Sequence, residues 1–151
     1  MVFDLIPRAR TVRRFVEREP VDVATLRSLV ELARLSPASA NRQVLRFALS
    51  ATPGHNRIVF DHLAWAGYLP DWPGPAEGER PAAYILVLSD EERGQAREGD
   101  AGLCLQSMVL GAAALGLGTC ILGSVQREEL ARALGLADRH RILYVLALGR
   151  P

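Results

Sequence analysis

Residues 8–15 read RARTVRRF, with arginines at 8, 10, 13 and 14 around Thr11. A guanidinium is a permanent cation whose planar fork matches phosphate oxygens two at a time, and a neighbouring hydroxyl can add a bond. In an extended segment Arg8 and Arg10 share a face with Val12 and Arg14, while Thr11 and Arg13 share the other. Such an arm could serve two parts of one elongated anion, or it could be a solvated basic arm. These residues alone leave both readings open.

A second stretch, Ser36-Pro-Ala-Ser-Ala-Asn-Arg-Gln43, joins a helical pattern to a strand pattern. A helix-to-strand connection usually takes two to six residues and a glycine at the helix end. This one is long and glycine-free, made of small residues with amides at Asn41 and Gln43. It reads as a loop shaped by something it faces.

Other chemistries are excluded by pattern. There is no G-x-x-x-x-G-K-[ST], no G-x-S-x-G and no C-x-x-C, and His55, His62 and His140 lack metal-ligand spacing, so no metal site is expected. Cys104 and Cys120 sit in apolar surroundings and read as small core residues. LGLGTCILG looks like a dinucleotide fingerprint, but it follows a helix and precedes a strand, the reverse of the Rossmann order. Its glycines are expected to end the helix and to let a backbone pass closely.

These residues are positioned by an α+β pattern, a mixed sheet flanked by helices, in a single domain over 1–151. The expected order is a short N-terminal arm over 2–18, helix 22–35, the loop, strand 44–50, and a helix about 57–66. A Pro/Gly-rich loop follows over 67–81, then strand 82–88, helix 100–115, strand 119–122, helix 126–134 with Ser124 as its cap, and strand 142–148. In the 67–81 loop, Tyr68, Leu69 and Trp72 either form an aromatic lid or pack the loop onto the core. The 100–115 helix is apolar all round and rich in Gly, Ala and Ser. It must be covered on every side, and a homodimer built around this central helix is expected.

The chain has 151 residues, 23% of them charged, and a net charge of +1, which argues against a nucleic-acid partner. All 18 basic residues are arginine. The uncharged run 102–125 is long enough for a membrane span. However, Gln106, Ser107 and the Gly116-Leu117-Gly118 break favour a buried helix followed by a strand. With no signal-like or transit-like N-terminus, a cytoplasmic protein with no membrane partner is expected.

Taken together, the motifs resemble the nitroreductase family of FMN-dependent oxidoreductases. Arg10-Thr11-Val12-Arg13-Arg14-Phe15 is similar to its opening R-x-S-x-R-x-F. Pro37-Ala38-Ser39-Ala40-Asn41-Arg42-Gln43-Val44-Leu45 is similar to P-S-S-x-N-x-Q-P-W, and Gly116-Leu117-Gly118-Thr119-Cys120 with Gly123 to its G-L-G-T/S-C strand. Residues 65–88 resemble a compact subgroup. Three departures stand out: Ala9 in place of a frequent Arg, Val44-Leu45 in place of Pro-Trp, and no counterpart of the C-terminal tail that embraces the partner subunit, which leaves two expectations open, weaker flavin retention or a truncated chain.

The resemblance implies a flavin site across a dimer interface. Pro37, Ala38, Ser39 and Asn41 would line it, with Gln43 bracing the loop. The partner's arm would give Arg10 and Thr11 to the ribityl phosphate, with Arg8 close by, and Arg13 to the pyrimidine edge. The backbone at Leu122 and Gly123 would approach flavin N5. It further implies NAD(P)H as donor, hydride transfer through N5, and a nitroaromatic, quinone or similar small-molecule acceptor. No side-chain acid or nucleophile is needed, because the cofactor carries the chemistry. Two other classes stay open: a non-catalytic FMN-binding or storage dimer, and a flavin-free structural homodimer.

Overall fold

The computed structural model describes all residues, 1–151. Its elements are α1 (Val2–Arg8), α2 (Val23–Arg34), β1 (Leu45–Ser50), α3 (Pro53–Asp61), β2 (Ala83–Asp90), α4 (Glu98–Ala114), β3 (Gly118–Leu122), α5 (Arg127–Ala133) and β4 (His140–Gly149). The four strands form one antiparallel sheet in the order β1-β2-β4-β3. The expected mixed sheet is thus antiparallel in all its strand pairs; an isolated parallel bridge, Thr11 to Thr119, lays the N-terminal arm beside β3.

β2 is buried along its whole length because both faces of the sheet are covered. Ala83, Ile85 and Val87 join Leu26, Leu29, Met108 and Ala112 from α2 and α4 in one core. Tyr84, Leu86 and Leu88 join Val59 of α3 and Leu130 of α5 in the other. Removing a fully buried leucine from either layer would cost about 2–5 kcal/mol.

Local chemistry sets most boundaries. Asp22 caps α2 by accepting from the Thr25 N–H at 2.7 Å. The third helix starts earlier than the periodicity suggests, because Thr52 is its cap and Pro53 its first residue. Gln126, not Ser124, precedes α5. The N-terminal arm begins as helix α1, none of whose residues is buried. Arg8 therefore ends a helix rather than alternating along a strand.

Residues 102–125 split at Gly116, which adopts φ +72° and stops α4. No helix is long and apolar enough to cross a membrane. One face of α4 lacks cover within the chain: Gly102, Leu103, Gln106 and Ala114 are exposed, Leu103 at 48%. Phe3 and Ile6 of α1 and Leu32 and Leu35 near the end of α2 are also exposed.

Candidate functional site

The arm reaches β3 because glycine leaves room for it. The Val12 N–H donates to Thr119 O at 2.8 Å, and a Cβ built at Gly118 would lie 2.9 Å from Val12 Cβ. Farther on, the Phe15 N–H donates to Glu79 O and the Val16 N–H to Arg150 O, while a Cβ at Gly149 would meet Phe15 at 3.0 Å. Gly116 and Gly118 thus do what the reversed fingerprint suggested: one ends a helix and the other admits a backbone.

This threading sorts the arginines. The Arg8 guanidinium points at Ala113 O, 3.4 Å away at the end of α4, and Arg150 donates to Leu115 O and Gly116 O at the same helix end. Both sit where the helix dipole favours a cation. Arg10 and Thr11 are exposed, and their side chains make no hydrogen bond or ion pair within the chain. Arg13 is half-buried, stands 5.4 Å from the Tyr68 ring centroid, and has a buried Nε with no acceptor. The rest of its guanidinium also makes no hydrogen bond or ion pair within the chain, which leaves the terminal nitrogens free for an acceptor from outside. Arg14 lies 6.0 Å from the Trp72 ring and 3.6 Å from Glu79. Thr11, Arg13, Arg14, Tyr68, Leu69 and Trp72 line an open cleft of about 720 Å³. Trp72 packs on the core while Tyr68 is 69% exposed, so the 67–81 loop is partly core and partly cleft wall.

The α2–β1 joint is the most strained backbone in the chain. Ala40, Asn41 and Gln43 have φ of 50°, 51° and 52°, and they are its only non-glycine residues with positive φ. Each such residue costs about 1–3 kcal/mol unless its surroundings hold it, and clusters of this kind mark functional sites. The Gln43 Nε2 donates to Asn41 Oδ1 at 2.8 Å. The N–H and hydroxyl of Ser39 both donate to Asp100 Oδ1, each at 2.9 Å. Pro37 is exposed and Ala38 half-buried. Ala38, Gln43 and Asp100 line a different cleft, of about 390 Å³, between α2 and β1. Within one chain, the arm and the loop therefore line separate openings.

After β3 the chain turns at Gly123. Leu122 is buried, whereas Gly123 and Ser124 are exposed and their N–H groups bond nothing in the chain. Arg127 fixes this turn, donating to the carbonyls of Gly123 (2.8 Å), Ile142 (3.1 Å) and Leu143 (3.1 Å). Asp100 and Arg127 were not singled out by their sequence. A signal existed for Asp100, which shares a helical face with Cys104 and Ser107 at i, i+4 and i+7; nothing local marks Arg127.

Burial pushes the Cys104 and Cys120 thiols up from their ordinary range, with Asp100 adding to the first and Arg13 partly offsetting the second. They are poor nucleophiles by that criterion.

The fold has counterparts among known proteins. A nitroreductase family protein from Clostridium novyi NT is 18% identical, with a TM-score of 0.80 over 100% of this chain and 85% of its own. A nitroreductase described as putative, from a Desulfovibrio desulfuricans subspecies and solved in complex with FMN, is 29% identical, with a TM-score of 0.79 over 99% of this chain and 86% of its own. The NADPH:FMN oxidoreductase of Vibrio harveyi, complexed with NAD+, is 19% identical, with a TM-score of 0.76 over 99% of this chain and 68% of its own. The sequence model of the Nitroreductase family matches residues 6–150, and the chain belongs to that family.

Proposed function

We propose that this chain is an FMN-dependent oxidoreductase that takes hydride from NAD(P)H and reduces a small acceptor such as a nitroaromatic or quinone. The observation that carries this reading is the arm: the guanidinium of Arg13, without hydrogen bond or ion pair in the chain, beside the equally uncommitted Arg10 and Thr11. These groups fit an anionic ligand with phosphate at one end and a hydrogen-bonding ring edge at the other. Bound FMN would supply a ring that accepts hydride at N5 and passes electrons on. Arg10 and Thr11 would hold its phosphate, Arg13 would face its pyrimidine edge, and the free N–H groups at Gly123 and Ser124 would be available to N5. FMN in the Desulfovibrio relative supports the cofactor.

The loop Pro37–Gln43 would come from a second copy. Arm and loop line separate clefts in one chain, and the exposed face of α4, with Leu103 and Gly102, suits isologous packing. The acceptor would stack in the cleft walled by Tyr68, Leu69 and Trp72.

The test is the visible spectrum of the protein after reconstitution with FMN and gel filtration. Retained flavin absorbance that bleaches anaerobically with NADH or NADPH is expected. Retention without bleaching would make it an FMN store, and a colourless protein that also binds no FMN in a fluorescence titration would remove the flavin reading.

A further inference from the structure

We propose that Asp100 is a positioning residue, a clamp on α4 that holds the α2–β1 loop in its ligand-ready shape; this rests on the flavin reading of that loop. Asp100 is 6% exposed, and no ion pair joins it to any arginine. Burying a carboxylate without a counter-ion is costly unless strong hydrogen bonds offset it. Its bonds within the chain come from one residue: the Ser39 N–H and the Ser39 hydroxyl, both to Oδ1 at 2.9 Å. Ser39 immediately precedes the run in which Ala40, Asn41 and Gln43 are left-handed.

The same face of α4 grips the joint at two more places. The Cys104 thiol points to Ala33 O at 3.4 Å, and the Ser107 and Ser36 hydroxyls bond each other at 2.6 Å. Residues 100, 104 and 107 are one helical face, so three successive turns fasten the end of α2 and the loop that follows. Asp100 is the last of these contacts before the strained residues and the only charged one. Free of it, residues 40–43 would relax toward ordinary φ.

The clamp also decides what Ser39 can offer a ligand. Its N–H and its hydroxyl proton are both committed to Asp100, which leaves only lone pairs on Oγ. Whatever meets Ser39 must therefore donate a hydrogen bond, as a ribityl hydroxyl or a ring N–H does. A phosphate oxygen cannot.

The experiment compares wild type, Asp100→Ala, Asp100→Asn and Ser39→Ala by hydrogen exchange without flavin and by FMN fluorescence titration. Asp100→Asn keeps an acceptor oxygen and removes the charge. Expected for Asp100→Ala is at least tenfold faster exchange of the amides of residues 39–43, unchanged exchange in β2, and at least tenfold weaker FMN binding. Asp100→Asn should recover most of both, and Ser39→Ala should reproduce part of the loss. Wild-type loop exchange in Asp100→Ala, or failure of Asp100→Asn to recover it, would overturn the clamp. If Asp100→Ala unfolds, the Asn and Ser39→Ala variants decide by the same two criteria. A wild type that binds no FMN would remove the flavin reading, while the exchange data would still decide whether Asp100 holds the loop.

Discussion

Arg127 holds the carbonyl of Gly123 at 2.8 Å while also bonding the carbonyls of Ile142 and Leu143 on β4. One guanidinium fork thus ties the turn after β3 to the neighbouring strand. A trans peptide points its N–H opposite its C=O, so fixing Gly123 O also fixes the Ser124 N–H on the other side. Arg127→Met leaves these carbonyls to find water or go unpaired. A loss of about 2–4 kcal/mol in urea unfolding is expected. Arg127→Lys should recover only part of it, because an ammonium lacks the planar fork.

The arm's course depends on one missing methyl. A Cβ at Gly118 would stand 2.9 Å from both Val12 Cβ and Cγ2. Gly118→Ala is expected to cost about 1–3 kcal/mol and to weaken FMN binding by displacing Thr11 and Arg13. Val12→Ala in the same background should restore much of both. Equal FMN affinity in Gly118→Ala and wild type would show that the arm's seat on β3 does not set the site.

Arg13 is expected to tune the bound flavin. A cation about 4 Å from an anionic ring contributes roughly 4 kcal/mol at an effective dielectric near 20. For a two-electron couple that is on the order of 50–100 mV. Arg13→Ala should lower the midpoint potential by tens of millivolts in a dye-equilibration titration. An unchanged potential would take Arg13 away from the ring.

The uncovered face of α4 gives a test of assembly. Leu103 is 48% exposed and Gly102 has no atom within 4 Å of a built Cβ. Sedimentation should show a dimer for the wild type, and Leu103→Glu should shift it toward monomer while the circular dichroism stays native. A monomeric wild type would count against the shared site.

Stability should fall in alkali. Burial raises Cys104 and Cys120 above 9.0 and Tyr84 above 10.0. The unfolded chain then loses these protons at lower pH than the folded one, so the folded state binds more protons in that window. Their contribution is fully present below about pH 9 and is lost progressively above it. The urea midpoint should be lower at pH 10 than at pH 7; equal midpoints would show that these groups titrate alike in both states.

The sequence by itself determined the layers. Leu26, Leu29 and Ala33 repeat at helical spacing, residues 82–88 are continuously apolar, and Gly116 ends α4 by adopting a left-handed φ, all of which is local chemistry that a one-dimensional pattern carries. The motif residues at the arm and the loop were legible for the same reason, since phosphate-suited arginines and a glycine-free joint are visible as types and spacings. Tertiary structure decided how each is used. Arg8 reads like its neighbours, yet the α1 turn carries it to the end of α4, because a helix spends its residues around an axis where a strand would alternate them. Asp100 and Arg127 look like ordinary charges on helix starts. Only the packing of α4 under the loop, and of α5 beside β4, brings Asp100 to Ser39 across 61 positions and Arg127 to Leu143 across 16. Contacts across such separations depend on where whole elements come to rest, which no local pattern encodes.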